Sequence, residues 1–207
     1  MSTINLSAEH EMLLPIHRAF HGMMNGPLST SMREKGLTYK VNFGVELPRL
    51  QEYAKTLPHT HELAQALFKE NIRESRLLAP MLMPIERFSP ELADVWIESM
   101  QFTEEASACV HFLFSRLPYA SQKAFEWIAR EEWMFQFCGF QLLGNLFGQD
   151  MTPSPRDMEE YLDQAATALR SERLAIRSAA HKSLLKFMNL SDEAADKAND
   201  LLDMAGM

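Results

Sequence analysis

Glycine is missing from His61 to Cys138 of this 207-residue chain. Folds built from tight β-turns draw on glycine wherever φ must be positive, so a turn-rich β architecture is disfavoured over that stretch. Cysteine is almost absent. Cys109 and Cys138 both stand among apolar neighbours, and they read as buried free thiols in a reducing cytoplasm. No run of about 18 apolar residues occurs, so no membrane span is expected. No basic N-terminal stretch leads into an apolar run, so no signal peptide is expected and the predicted location is cytoplasmic. No Gly-rich phosphate loop, nucleophile–base motif or Cys/His ligand spacing is visible, and neither a cofactor nor a metal is expected. Positive charge is scarce: 20 Lys and Arg stand against 28 Asp and Glu, for a net charge of −8. That balance opposes nonspecific DNA binding, which relies on Lys and Arg at phosphates. A local basic groove is still compatible with an acidic whole.

What the chain does have is helical periodicity. Leu63, Ala64, Leu67 and Phe68 recur at helical spacing, as do Leu92, Val95, Trp96 and Ser99. Helices are predicted from Ser7 to Met23, Leu28 to Lys35, Glu46 to Leu57, and from His61 to an end marked by Pro80 and Pro84. More begin at Ser89–Pro90, Thr103, Ser121 and Glu131. Two or three follow the Asp150–Pro155 break, at Arg156–Arg170, Glu172–Met188 and Asp192–Met204. N-caps are assigned to Ser7, Thr60, Ser89, Thr103, Ser121 and Ser191. The predicted fold is therefore all-α, an α-solenoid of antiparallel helix pairs forming a single C-shaped domain over 1–207. Leu77, Leu78, Trp96, Leu113, Trp127 and Leu142 are expected in the core.

Some residues invite a functional reading. His17 and His21 stand four apart with His10 upstream, but no further ligands complete a metal site. Lys35, Lys40, Asn42 and Gly44 mark a loop where backbone can approach a phosphate, although a C-cap and a turn explain it as well. Glu74 and Arg76 are expected to tie neighbouring helices together. Arg170, Arg173, Arg177, Lys182 and Lys186 form one basic stripe, which makes Arg173, Arg177, Lys182 and Lys186 the nucleic-acid contact candidates; a solvated helix face is the plainer account.

GVELPRLQEYAK, HELAQALFKENIRESRLLAPML, the Trp-centred DVWIESM and FEWIAREEWMFQFCGFQLL together resemble the DNA alkylation repair enzyme family, the AlkD-like HEAT-repeat glycosylases. The resemblance runs from Phe43 to Leu146. It implies a HEAT-like fold and removal of alkylated purines such as 7-methylguanine or 3-methyladenine. In that chemistry a carboxylate stabilises an oxocarbenium-like transition state, aromatic rings flank the lesion, and arginines grip phosphates. In the family's pattern a Trp is followed four residues later by an Asp. Matching on Trp96–Ile97 places Thr103 at the Trp and Ser107 at the Asp. Phe135 and Gln136 stand where the family has paired arginines. Lys182 and Leu185 fall at the Trp and Arg of a downstream motif.

Serine holds no negative charge at neutral pH, and one such electrostatic contribution is worth about 3–4 kcal/mol. Glu104, one turn before Ser107, is the candidate substitute acid. Between Glu86 and Glu132 only Arg87, Arg116, Lys123 and Arg130 stand against nine carboxylates. The favoured reading is a family member without base excision, a scaffold binding protein or nucleic acid on its concave face. The alternative is an active glycosylase with rewired residues.

Overall fold

The computed structural model describes residues 6–205, and contacts along the chain group into two compact units, Met1–Ser89 and Pro90–Met207. The division falls at Ser89–Pro90. The Asp150–Pro155 break, the clearest one in the sequence, lies inside the second unit. Twelve α-helices and three short 3-10 turns account for the described residues, and no β-strand occurs among them.

The first unit contains α1 (Leu6–Gly22), α2 (Gly26–Glu34), α3 (Leu47–Ala54), α4 (His61–Lys69) and α5 (Arg73–Leu82). The expected cap at Ser7 lies outside the described side chains. Asn25 caps α2 and Thr60 caps α4, each accepting from a backbone N–H three residues on. The single helix predicted from His61 to Pro80 is instead two. Val41 takes over the backbone between them: its N–H donates to the Asn71 carbonyl at 3.2 Å and its carbonyl accepts from Arg73 N–H at 3.0 Å. Pro80 does not end α5 but sits within it.

Glu74 explains why that loop is held. Fully buried, it accepts from the N–H groups of Phe43 and Val45, both at 3.1 Å, and from Arg73 Nη1 at 3.2 Å. It thus ties a helix to a loop, where a helix-to-helix tie was expected. Arg76 turns elsewhere, donating to the Glu70 carbonyl and stacking over Phe68. The amides of Lys40, Val41, Phe43, Gly44 and Val45 are all engaged within the chain. The turn reading of the loop is therefore the correct one, and those amides are not presented to a phosphate. Gly44 has φ 71°, and a Cβ there would sit 2.3 Å from the Asn25 carbonyl oxygen, so both conformation and space call for glycine.

The second unit contains α6 (Pro90–Ser99), α7 (Thr103–Phe112), α8 (Ala120–Ile128), α9 (Trp133–Phe147), α10 (Pro155–Leu169), α11 (Leu174–Phe187) and α12 (Asp192–Ala205). Helix α6 starts at Pro90, as the Ser89–Pro90–Glu91 signal predicts. Ser154 and Ser191 cap α10 and α12. Thr103 and Ser121 lie inside their helices, behind the N-caps Phe102 and Tyr119. Neither of those caps supplies a side-chain capping hydrogen bond; at α7 the Glu105 carboxylate instead reaches back to accept from Gln101 N–H at 3.1 Å.

Helix α9 organises this unit. It is apolar nearly all the way round, the mark of a helix surrounded by others, and Phe135, Cys138, Phe140, Leu142, Leu143 and Phe147 are all buried. Two glycines let its neighbours close in. A Cβ on Gly139 would stand 2.7 Å from Ile128 Cγ2 and 2.8 Å from Ile128 N on α8; one on Gly144 would stand 3.2 Å from Ser183 Cα on α11. Phe147, Tyr161 and Phe187 close a three-ring cluster with centroids 5.0–5.4 Å apart, and Tyr161 shares a buried hydrogen bond with Ser183 at 2.8 Å. All six expected core residues are buried, as are both cysteines.

Candidate functional site

Helices α7, α9 and α11 run in the same direction as a row, with α9 packed on the preceding α8 and α11 on the preceding α10. Trp133 meets Arg173 at one end of α9 and α11, Gly144 meets Ser183 in the middle, and Gly148 lies by Lys186 at the other end. Ser107 on α7 reaches Gln141, and Ser115 just beyond α7 reaches Asn145. Such parallel registration follows when short turns reverse the chain twice between successive members of the row.

A cleft of about 460 Å³ opens along this row. Helix α7 contributes Ser107 and His111. Helix α9 forms the floor with Phe140, Gln141, Gly144 and Asn145. Helix α11 supplies Ala179, Lys182, Ser183, Leu185 and Lys186. Three positions brought together by the family resemblance, Ser107, Lys182 and Leu185, therefore converge in space. Ser107 Oγ accepts from Gln141 Nε2, and Asn145 Nδ2 donates to Ser115 Oγ, both at 3.1 Å. Lys182 and Lys186 are exposed, and no carboxylate lines the cleft. The acidic balance of Glu86–Glu132 thus does not describe this surface, whose ionisable side chains are two lysines and a histidine.

The other expected site residues lie elsewhere. Thr103 and Glu104 are half-buried in the first turn of α7 and do not line the cleft. The Arg173 guanidinium stacks 4.4 Å over the Trp133 ring. Arg177 Nη1 donates to the carbonyls of Ser171 and Glu172, at 2.6 and 3.1 Å, and so closes the turn before α11. Phe135 is buried under Arg130, whose guanidinium lies 4.1 Å from its ring, and Gln136 donates to the Arg130 carbonyl at 2.7 Å. At the positions where the resemblance implies paired arginines, these two hold the α8–α9 turn. His17 pairs with Glu70 at 3.0 Å, and no metal-binding group of His, Cys, Asp or Glu occurs among the described residues.

Gln141 and Asn145 were not evident beforehand as site residues. Their signal was nonetheless present: two amides four apart interrupt the apolar C-terminal half of the helix, on one face with Gly144. Asp94 was missed too, and its work is structural. It accepts from Trp127 Nε1 at 2.7 Å and Lys123 Nζ at 2.9 Å, joining α6 to α8. Beside it, burial first and then the charges of Glu91 and Asp94 push the Tyr119 hydroxyl up to about 12.

Paired helices in register, with a largely apolar cleft edged by two lysines along the row of α7, α9 and α11, define a helical-repeat protein of the HEAT-like class. A solved structure described as "A new family of proteins related to the HEAT-like repeat DNA glycosylases with affinity for branched DNA structures" is similar in fold. It superposes with a TM-score of 0.83 at 17% identity, over 93% of this chain and 83% of that one. The profile of the family described as "DNA alkylation repair enzyme" matches residues 29–186, and the chain belongs to that family. No curated protein matches it.

Proposed function

We propose that this protein is a DNA-binding member of the family that does not excise bases, acting as one repeat domain over 1–207. The observation that carries the reading is the lining of the cleft. At the position matching the family's acid stands Ser107, hydrogen-bonded to a neutral amide, and the ionisable groups around it are Lys182, Lys186 and His111. A developing positive charge on a sugar finds no fixed counter-charge there. A phosphate, already negative, finds two ammonium groups without a carboxylate partner. The similar structure's described affinity is for branched DNA, which makes a branched substrate the natural probe.

The test has two arms. Single-turnover excision of 7-methylguanine and 3-methyladenine is measured at enzyme excess, wild type beside Glu104→Gln. No release is expected from either. Release by wild type that disappears in Glu104→Gln refutes the reading and makes Glu104 a relocated acid; release by both refutes the assignment of the site. In the second arm, affinity for forked DNA is titrated against salt. Lys182→Ala/Lys186→Ala should weaken binding and flatten the log–log salt slope by roughly 1.8, two phosphate contacts' worth. An unchanged slope refutes the role of these lysines.

A further inference from the structure

Resting on that reading, we infer that the cleft takes one unpaired nucleotide within a strand, with its flanking phosphates on Lys182 and Lys186. Size is the first reason. At about 460 Å³ the cleft has the volume of a small-molecule pocket, suited to a single nucleotide and too confined for a duplex. The chemistry of its surfaces is the second. Phe140, Gly144, Ala179 and Leu185 give it apolar walls for the face of a base. Gln141 and Asn145 place two carboxamides on the floor, and carboxamides are the side chains that pair with base edges. Each amide is steadied by a hydroxyl partner, Ser107 or Ser115, through its nitrogen, so its carbonyl oxygen is oriented as an acceptor for the exocyclic amine of adenine, cytosine or guanine.

Spacing is the third reason. Lys182 and Lys186 are one turn apart on α11, about 6 Å along the helix axis, a separation that suits consecutive phosphates of one strand better than a single free phosphate. Both are exposed at the mouth, while Phe140 is buried at the bottom. Charge at the rim and apolar surface beneath is the order in which a strand would present phosphate and then base. Paired bases are stacked and cannot enter; a bulge, a fork junction or a single-stranded end offers one at low cost.

The experiment compares three DNAs that differ at one position: a fully paired duplex, the same duplex with a one-adenine bulge, and the same bulge made abasic. Wild-type protein should bind the adenine bulge about tenfold more tightly than the abasic one, one good base contact's worth. Gln141→Leu should remove that preference. Asn145→Leu serves as an independent second variant, and circular dichroism melts establish that both are folded. Equal binding of the two bulges by wild type, or a preference that survives in both folded variants, overturns the inference. The lysine pair distinguishes this from failure of the underlying reading: if Lys182→Ala/Lys186→Ala binds all three DNAs as wild type does, the cleft is not the DNA site, and both fall together.

Discussion

Replacing Gly139 by alanine tests how α9 is packed. In an exposed helix the change would stabilise by about 0.8–1.0 kcal/mol, since alanine is the better helix former. Here the added Cβ would lie 2.7 Å from Ile128 Cγ2, 2.8 Å from Ile128 N and 3.0 Å from the Ala124 carbonyl oxygen. Two of those three atoms are backbone, so a rotamer change in Ile128 does not relieve the overlap and α8 has to move as a body. Overpacking of a close-packed core costs about 1–3 kcal/mol, and contact with backbone places this case at the upper end. After the propensity gain the net loss is about 1–2 kcal/mol, or roughly 2–8 °C in Tm for a chain of this size. Gly144→Ala is the internal control. Its Cβ would meet Ser183 Cα at 3.2 Å, where a small shift suffices and the propensity gain offsets the cost, so its Tm should stay within about 3 °C of wild type. Differential scanning calorimetry of both variants decides the matter. A Gly139→Ala protein that melts at or above the wild-type temperature refutes the argument that α8 and α9 are held at glycine distance.

Trp96, buried on α6, should cost about 3–5 kcal/mol on replacement by alanine, read as a fall in the denaturation midpoint. Glu74→Gln breaks a buried ion pair with Arg73 and should cost about 3 kcal/mol or more; faster amide exchange at Phe43 and Val45 would mark the loosened loop. Both thiols should stay unreactive toward an aromatic disulfide reagent at pH 8 until denaturant is added, because Cys109 is buried and burial pushes the Cys138 thiol well up, leaving no thiolate to attack. If the resemblance is right that Phe135 and Gln136 stand in place of phosphate-gripping arginines, Ser107→Asp should not confer base excision in the single-turnover assay; release of 7-methylguanine by that variant would show that the single carboxylate was all that was missing.

The sequence by itself determined the helices, the core and the family. Apolar residues at a period near 3.6 and the absence of glycine from His61 to Cys138 are local signals, and they held for every long helix but one. That exception, the division of His61–Leu82 at Glu70–Ile72, depends on Val41, 31 residues away from Ile72 along the chain; no local pattern reports a backbone hydrogen bond made at such a distance. The cap assignments divide as well. Thr60 and Ser191 act through N–H groups three residues ahead, whereas the start of α7 is tied by Glu105 reaching back to Gln101 N–H. Alignment to the family could name Ser107, Lys182 and Leu185 one at a time. Only the tertiary structure decided that they share one cleft, that Arg173 and Arg177 are engaged outside it, and that Gln141 and Asn145 form its floor. Helix faces are written in the sequence as a period, but which faces meet is decided by close contacts such as Gly139 with Ile128 and Gly144 with Ser183, where the absence of a single Cβ sets how near two helices can lie.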